Sequence, residues 1–268
     1  MARFSCRYSD DVIERIVAPN PGPMTLTGTN TYLFSDGSGQ LAAIDPGPDD
    51  PRHIASILGV AQRLGRITTV LVTHRHLDHL PAALPVCRET GAILVGHAEL
   101  PGVQRAVGEG DLVFGSLVAL ETPGHTRESL CFWNPPDGSL FTGDLVVGTG
   151  TVVLDDAPGA LACYLTSLER LLALAPRTIY PGHGPIVENA VVKLTEYLDH
   201  RQQRLRQVVD ALASHGPSTI DDLVGEIYTD VPANLMPMAA RNVRASLEKL
   251  VSDGQVIGAS GERWQLTH

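Results

Sequence analysis

Thr73-His-Arg-His-Leu-Asp-His79 places three histidines and one aspartate within six consecutive residues. It overlaps the end of Ile67–Thr73, an apolar and β-branched run that predicts a buried strand. Imidazole nitrogens and carboxylate oxygens are the ligands of Zn²⁺ in catalytic sites. Because alternate side chains of a loop can turn towards one point, we expect the first two histidines to share a metal. The later aspartate and histidine would face a neighbouring position. The alternative interpretation is a solvated polar loop that binds nothing.

Three further potential ligands lie downstream, each beside a glycine where a predicted strand ends. They occur in Thr122-Pro-Gly-His125, Phe141-Thr-Gly-Asp144 and Tyr180-Pro-Gly-His183. Glycine at such a junction permits a tight turn and a close approach to an ion. Each tripeptide alone is typical of a simple turn, but four sites with complementary ligand types predict a two-metal centre. The candidate ligands are His74, His76, Asp78, His79, His125, Asp144 and His183.

Short apolar runs alternate with helical patterns along the first part of the chain. The predicted strands are Thr31–Phe34, Leu41–Ile44, Ile67–Thr73, Ile93–Gly96, Leu112–Leu120, Ser129–Trp133 and Ser139–Thr142. The predicted helices are Pro51–Leu64, Pro81–Thr90 and Gly159–Leu174. Strands mixed with helices predict a layered domain of α/β or α+β class whose sheets are covered by helices.

The pattern changes at about Val187. A long helix over 187–214 is followed by two shorter helices, Ile220–Ile227 and Pro237–Asp253, and by a terminal hairpin around Gly258-Ala-Ser-Gly261. This order is typical of a winged helix. We therefore predict a catalytic domain over residues 1–186, a connecting helix over 187–216 and a winged-helix-like domain over 217–268.

The composition limits the classes of function. The chain has 268 residues and a formal net charge of −10, which argues against a surface for tight non-specific binding of nucleic acid. Four scattered cysteines without a CxxC pair suit a reducing compartment. The first residues, MARFSCRYSDDVIERI, lack the apolar core of a secretory signal, and no run is long enough to span a membrane. We expect a cytoplasmic protein with no membrane contact.

The motifs HxHxDH, PGH, GD and GHG, in this order, resemble the metallo-β-lactamase superfamily. Three further stretches and the C-terminal winged helix resemble the β-lactamase-like protein 2 family within it. These stretches are Asn20-Pro-Gly-Pro-Met-Thr-Leu-Thr-Gly-Thr-Asn-Thr-Tyr-Leu33, Gly148–Val153 and Tyr180–Pro185. The resemblance covers nearly the whole chain. It implies an αββα sandwich, which is an α+β fold, and an endoribonuclease selective for single strands.

The resemblance also implies how the ligands divide between the metals. It assigns His74, His76 and His125 to the first metal, and Asp78, His79 and His183 to the second, with Asp144 as the bridge. Asp45, in Ile44-Asp-Pro-Gly47, matches a position that steadies the ligand loop without binding metal. A simple turn is an equally good interpretation of Asp45. Without a thiolate, the set suits two Zn²⁺ ions, although Mn²⁺ and Fe are compatible with the same ligands.

A two-metal centre predicts hydrolysis by a metal-activated water, which Asp78 would orient or deprotonate. The resemblance selects a phosphodiesterase acting on single-stranded RNA. The alternative is a small-molecule hydrolase, either a glyoxalase-II-like thioesterase or a lactonase. The sequence is also compatible with a homodimer.

Two C-terminal features bear on the RNA hypothesis. The basic segment His200–Arg206 is interpreted either as the side of a nucleic-acid path or as a solvated helix face. Residues 218–268 contain four Lys and Arg against seven Asp and Glu, which is unfavourable for phosphate contacts. We therefore predict that the winged helix is a lid or packing domain.

Overall fold

The computed structural model describes residues 12–229, 231–232 and 235–267. Most of the N-terminal stretch that lacks a signal pattern, Cys6 included, lies outside these ranges. No helix within them is long and apolar enough to cross a membrane.

The described residues form thirteen strands and six helices. The strands are β1 (Ile13–Val17), β2 (Asn30–Ser35), β3 (Gln40–Ile44), β4 (Arg66–Leu71), β5 (Ile93–Gly96), β6 (Arg105–Ala106), β7 (Leu112–Phe114), β8 (Leu117–Glu121), β9 (Leu130–Asn134), β10 (Ser139–Gly143), β11 (Thr178–Pro181), β12 (Val256–Ala259) and β13 (Arg263–Leu266). The helices are α1 (Pro51–Leu64), α2 (Ala83–Thr90), α3 (Ala160–Ala173), α4 (Ala190–His215), α5 (Ile220–Ile227) and α6 (Met236–Ser252).

Two mixed sheets form the body of the molecule. The first has the order β1-β2-β3-β4-β5-β6, and the second has the order β11-β10-β9-β8-β7. Strands β3 to β6 are parallel, as are β10 and β11, whereas the remaining pairs of the two sheets are antiparallel.

Apolar residues fill both faces of each sheet. Phe34, Phe132 and Phe141 are almost fully buried in the layer between the sheets. Helices α1 and α2 bury Ile57 and Val86 on the outer face of the first sheet, and α3 and α4 cover the second. This is the predicted αββα sandwich. Because both faces are covered, the strands are near-continuous apolar runs rather than alternating ones.

Helix α4 packs against two cores. Leu194 and Leu198 in its first half join the core of the sandwich. Val208 and Leu212 in its second half join a separate core made by α5, α6 and the β12–β13 hairpin. Thr219 caps the start of helix α5, and its side chain accepts a hydrogen bond from Asp222 N in a reciprocal capping box. The predicted winged-helix outline is present.

The prediction of one strand over Leu112–Leu120 was wrong. Gly115 has a φ of 52°, and the Gly115-Ser116 turn folds this segment into the antiparallel pair β7 and β8. The sequence analysis also missed β1 and the two-residue β6, both short strands at opposite edges of the first sheet.

Candidate metal centre

The candidate ligands lie in loops that follow four strands. The loop after β4 carries Thr73–His79, and the loops after β8, β10 and β11 carry His125, Asp144 and His183. Strands β8, β10 and β11 run in the same direction, so their carboxyl ends meet at one edge of the second sheet. The structure brings all seven predicted side chains together there, in overlapping groups of potential metal ligands.

Three histidines form the first cluster. His76 Nδ1 lies 2.9 Å from His74 Nε2 and 3.1 Å from His125 Nε2. Nitrogens bound tetrahedrally at about 2.0–2.1 Å from one Zn²⁺ lie about 3.3 Å apart. The spacing of these nitrogens fits a single metal ion.

Asp78, His79 and His183 form the second cluster. His183 Nε2 lies 3.1 Å from Asp78 Oδ2 and 3.2 Å from His79 Nε2. The Asp78 carboxylate is also 3.6 Å from His79 Nε2. One carboxylate and two imidazoles therefore converge beside the first cluster.

Asp144 lies between the two clusters. Its Oδ2 is 3.3 Å from His183 Nε2 and 3.7 Å from His125 Nε2, and its Oδ1 is 3.4 Å from His79 Nε2. Within the described part of the chain, Oδ1 is buried without a hydrogen-bond partner. A buried carboxylate oxygen of this kind is costly unless a cation satisfies it. The position of Asp144 suits a bridge between two metal ions.

The hydrogen bonds of the rings select the nitrogen that faces each cluster. His125 Nδ1 donates to Val153 O at 2.7 Å, and His79 Nδ1 donates to Asp45 Oδ2 at 2.9 Å. Carbonyl and carboxylate oxygens only accept, so Nδ1 carries the hydrogen and the Nε2 lone pair is free for a metal. The donor set therefore fits a binuclear metal site.

Asp45 contacts the ligand loop rather than the centre of either cluster. Its Oδ1 accepts from Thr73 N at 2.8 Å and its Oδ2 accepts from Thr73 Oγ1 at 2.7 Å, in addition to His79. Both oxygens of Asp45 are thus engaged by Thr73 and His79, and this geometry is compatible with a role in orienting the His79 ring. Thr73 Oγ1 also lies 3.0 Å from His74 Nδ1, which extends the network to a second histidine.

Gly182 makes the close approach expected of a glycine beside a ligand. A Cβ atom at this position would lie 2.6 Å from both Asp144 Oδ1 and His79 Cε1. Any larger residue would displace one of these side chains.

The clustered charges shift the pKa values in opposite directions. Burial lowers the pKa of His74 well below its usual range, and the neighbouring His79 adds to this effect. Burial also opposes protonation of His183, but hydrogen bonds to Asp144 and Asp78 outweigh it and raise its pKa to about 9. Burial disfavours the ionised form of Asp144, yet His79 and His183 hold the pKa of Asp144 well below its usual range. Asp144 is thus ionised at neutral pH.

Sequence reasoning missed two residues that support the site. Glu128 has a fully buried side chain and accepts hydrogen bonds from Arg75 N at 3.2 Å and Arg75 Nη1 at 3.1 Å, which fixes the ligand loop. Asn30, also buried, donates from Nδ2 to the carbonyl oxygens of Pro181 and Gly184, which flank His183. Glu128 lies three residues after His125, but nothing in the sequence distinguishes it from a surface acid.

The clusters open into one cavity of about 360 Å³. Apolar side chains from three separate segments form part of its wall, and two arginines and an aspartate join them. These residues are Met24, Val153, Leu154, Met238, Arg75, Arg241 and Asp155. Met238 and Arg241 belong to α6, so the winged helix forms one side of the cavity.

Two arginines of the basic segment in α4 make contacts inside the protein. Arg201 is buried, donates to Val152 O at 2.6 Å and stacks 5.1 Å from the centre of the Tyr164 ring. Arg204 lies 4.4 Å from the centre of the Tyr228 ring. Packing therefore engages both guanidinium groups, and the interpretation of the segment as the side of a nucleic-acid path stays a hypothesis.

Family models match most of the chain. A model described as the metallo-beta-lactamase superfamily matches residues 24–105 and 100–183. A second model, the beta-lactamase associated winged helix domain, matches residues 219–264.

Known proteins agree with this result. A beta-lactamase-like protein 2 homolog from Caenorhabditis elegans is 33% identical over 92% of this chain and 86% of its own length. An atrochrysone carboxyl ACP thioesterase from Aspergillus fumigatus is 35% identical over 91% of this chain and 82% of its own length. The crystal structure of a beta-lactamase domain protein from Burkholderia ambifaria has the same fold, with a TM-score of 0.80 at 21% identity over 95% of this chain and 91% of that one. The chain therefore belongs to the metallo-beta-lactamase superfamily of hydrolases, among the members that carry the associated winged helix.

Proposed function

We propose that this chain is a binuclear metal-dependent hydrolase that cleaves the thioester of a compact acyl group. The observation that carries the proposal is the shared position of Asp144 between two ligand clusters that open into one partly apolar cavity. The proposed ligands are His74, His76 and His125 for one ion, and Asp78, His79 and His183 for the other, bridged by Asp144. The nitrogen and oxygen donors suit zinc, and manganese or iron fits the same set.

Two bound metal ions would supply Lewis acidity and a water whose pKa is lowered to about 7. Asp78 is the residue that we assign to proton transfer. Burial raises its pKa and the hydrogen bond with His183 acts in the opposite direction, so that the pKa of Asp78 lies below its usual value. Its side chain, about a quarter exposed, borders the cavity as an ionised acceptor for a proton of the attacking water.

The chemistry of thioester hydrolysis balances without a further reactant. The water oxygen forms a bond to the acyl carbonyl carbon, the carbon–sulfur bond breaks, and a water proton passes through Asp78 to the departing thiolate. The products are a carboxylic acid and a thiol.

The walls of the cavity support an acyl substrate. Met24, Val153, Leu154 and Met238 offer apolar contacts, and a volume of about 360 Å³ matches a small organic group. The similarity to a fungal carboxyl ACP thioesterase supports the same class of bond.

The second candidate is a phosphodiester of single-stranded RNA. Similarity to beta-lactamase-like protein 2 homologs along most of the chain favours it, and two arginines on the cavity wall could contact phosphate. The charges of α4 and of the winged-helix region argue against an RNA substrate. Arg201 and Arg204 are committed to packing, and the winged-helix region has four basic against seven acidic residues. The thioester is therefore placed first.

One assay panel separates the two. Zinc-loaded protein is incubated with butyryl-N-acetylcysteamine, a lactone, a β-lactam and a single-stranded RNA, beside the His74→Ala and Asp144→Ala variants. We expect thiol release by the wild type and none by either variant. RNA cleavage without thiol release would replace the first candidate by the second. Equal activity of wild type and variants would contradict both.

A further inference from the structure

Helix α6 contributes one face to the winged-helix core and another to the cavity. Val243 and Leu247 are buried in that core. Met238 and Arg241, one turn apart, line the cavity together with the candidate metal ligands. A residue from outside the sandwich thus supplies a cation beside the proposed reaction centre.

The Arg241 side chain can exchange its present acidic partner for another anion. Its Nη2 donates to Leu154 O at 3.1 Å, and its Nε lies 2.5 Å from Asp156 Oδ1. The side chains of Arg241 and Asp156 are 43% and 72% exposed, and an ion pair this accessible to water contributes little free energy. Within the described residues, no hydrogen-bond acceptor contacts Nη1. An anionic group of a molecule bound in the cavity can therefore displace Asp156 from Arg241.

The second arginine of the cavity differs in this respect. Arg75 pairs with Glu128, whose side chain has no exposed surface. The Arg75 side chain is itself 51% exposed, but displacing its guanidinium would leave the buried Glu128 carboxylate with the Arg75 backbone N–H as its remaining partner from this residue, which is costly. Of the two arginines described on the cavity wall, Arg241 is the one whose acidic partner is exposed and replaceable.

We propose that Arg241 is a specificity-determining residue that binds an anionic group of the substrate, a carboxylate or a phosphate, while the acyl chain occupies the apolar wall. The inference deepens the proposed thioester hydrolase and rests on it. A guanidinium fork suits both anions because each presents two acceptor oxygens. When no substrate is bound, Asp156 pairs with Arg241 in place of the substrate anion. The winged helix then selects substrates by charge instead of reading nucleic acid.

The test measures binding separately from catalysis. Thioethers, which cannot be hydrolysed, are titrated into the zinc-loaded protein by calorimetry. The set comprises S-butyl-N-acetylcysteamine as the neutral ligand, S-(3-carboxypropyl)-N-acetylcysteamine with a carboxylate on the acyl side, and S-butyl-4′-phosphopantetheine with a phosphate on the thiol side. S-butylpantetheine is the neutral match of the last. The two anionic ligands distinguish the two sources of charge.

We expect the wild type to bind one anionic ligand at least about 10-fold more tightly than its neutral match. Arg241→Gln should abolish this preference and Arg241→Lys should restore part of it. Asp156→Asn should strengthen it. Arg244→Gln is the matched control, since Arg244 is exposed on α6 but does not line the cavity.

With the corresponding thioesters, Arg241→Gln should raise KM for the anionic substrate at least about 10-fold more than KM for the neutral substrate. Equal affinity of the wild type for charged and neutral ligands, or a preference that survives Arg241→Gln, would overturn the inference. An Arg241-dependent preference without thioester hydrolysis would retain the anion site and reject the proposed reaction.

Discussion

Asp45 Oδ2 lies 2.9 Å from His79 Nδ1, and the same carboxylate accepts a hydrogen bond from Thr73 N at 2.8 Å. One side chain therefore orients an imidazole of the second cluster and fixes the end of the loop that carries four candidate ligands. Asp45 has a φ of 49°, a left-handed conformation that aspartate and asparagine adopt more readily than most residues. Asp45 therefore forms the turn after β3 and also contacts the ligand loop.

We predict that Asp45→Asn weakens binding of the second metal by about 10- to 100-fold while the seven ligands remain. Asparagine keeps the backbone conformation but cannot accept from Thr73 and His79 with both side-chain atoms. Competition against a chromophoric zinc chelator measures the two affinities. Asp49→Asn, at an exposed neighbouring aspartate, is the control. Equal affinities in both variants would show that Asp45 serves only the turn.

Gly182→Ala should disrupt the metal centre without touching a ligand. The added methyl would lie 2.6 Å from Asp144 Oδ1, closer than such contacts allow, so the bridge or His79 has to move. We expect at least a tenfold loss of kcat and less than two equivalents of bound zinc by elemental analysis. Gly225→Ala, at a helical position with open space around it, should change neither quantity. A fully loaded, active Gly182→Ala protein would contradict the close approach.

The convergence of the seven candidate ligands could be predicted from the sequence because each motif joins a strand end, a glycine and a potential ligand within a few residues. Helix bounds were predictable for the same local reason: α1 covers the predicted Pro51–Leu64, where Asp50 caps the first turn. Contacts between distant segments could not be predicted from the sequence. The bond from Arg75 to Glu128 joins residues 53 positions apart, and no local pattern encodes it.

The basic segment of α4 illustrates the same limit. The sequence alone does not distinguish which of the three arginines within six residues are exposed. In the structure Arg206 is exposed, whereas Arg201 is buried against Tyr164. Which arginine is buried depends on where α3 and the segment around Val152 lie, and this is a property of the tertiary fold.

Cysteine reactivity should follow burial. Burial raises the pKa of the Cys87 thiol to about 11 and that of Cys131 to about 12, so at pH 8 both are almost wholly protonated and unreactive. Cys163 is exposed. We expect iodoacetamide at pH 8 to modify Cys163 in the folded protein, and Cys87 and Cys131 only after denaturation, as read by peptide mass mapping. Early labelling of Cys131 would contradict the buried position.

Arg201 should couple α4 to the first cluster. It donates to Val152 O at 2.6 Å, and the next carbonyl, Val153 O, accepts from His125 Nδ1 at 2.7 Å. Arg201→Ala removes a buried charged hydrogen bond and is expected to lower the free energy of unfolding by about 2–3 kcal/mol. Urea denaturation followed by the fluorescence of Trp133 and Trp264 measures the change in both cores.

The same variant should weaken binding of the first metal, because the carbonyl that orients His125 loses its support on the adjacent residue. Arg201→Lys, which keeps a donor, should recover part of both effects. Arg206→Ala, at the exposed arginine of the segment, should leave both near wild type. If Arg201→Ala lowered stability but left both zinc affinities unchanged, Arg201 would stabilise the joint between α4 and the sandwich without positioning His125.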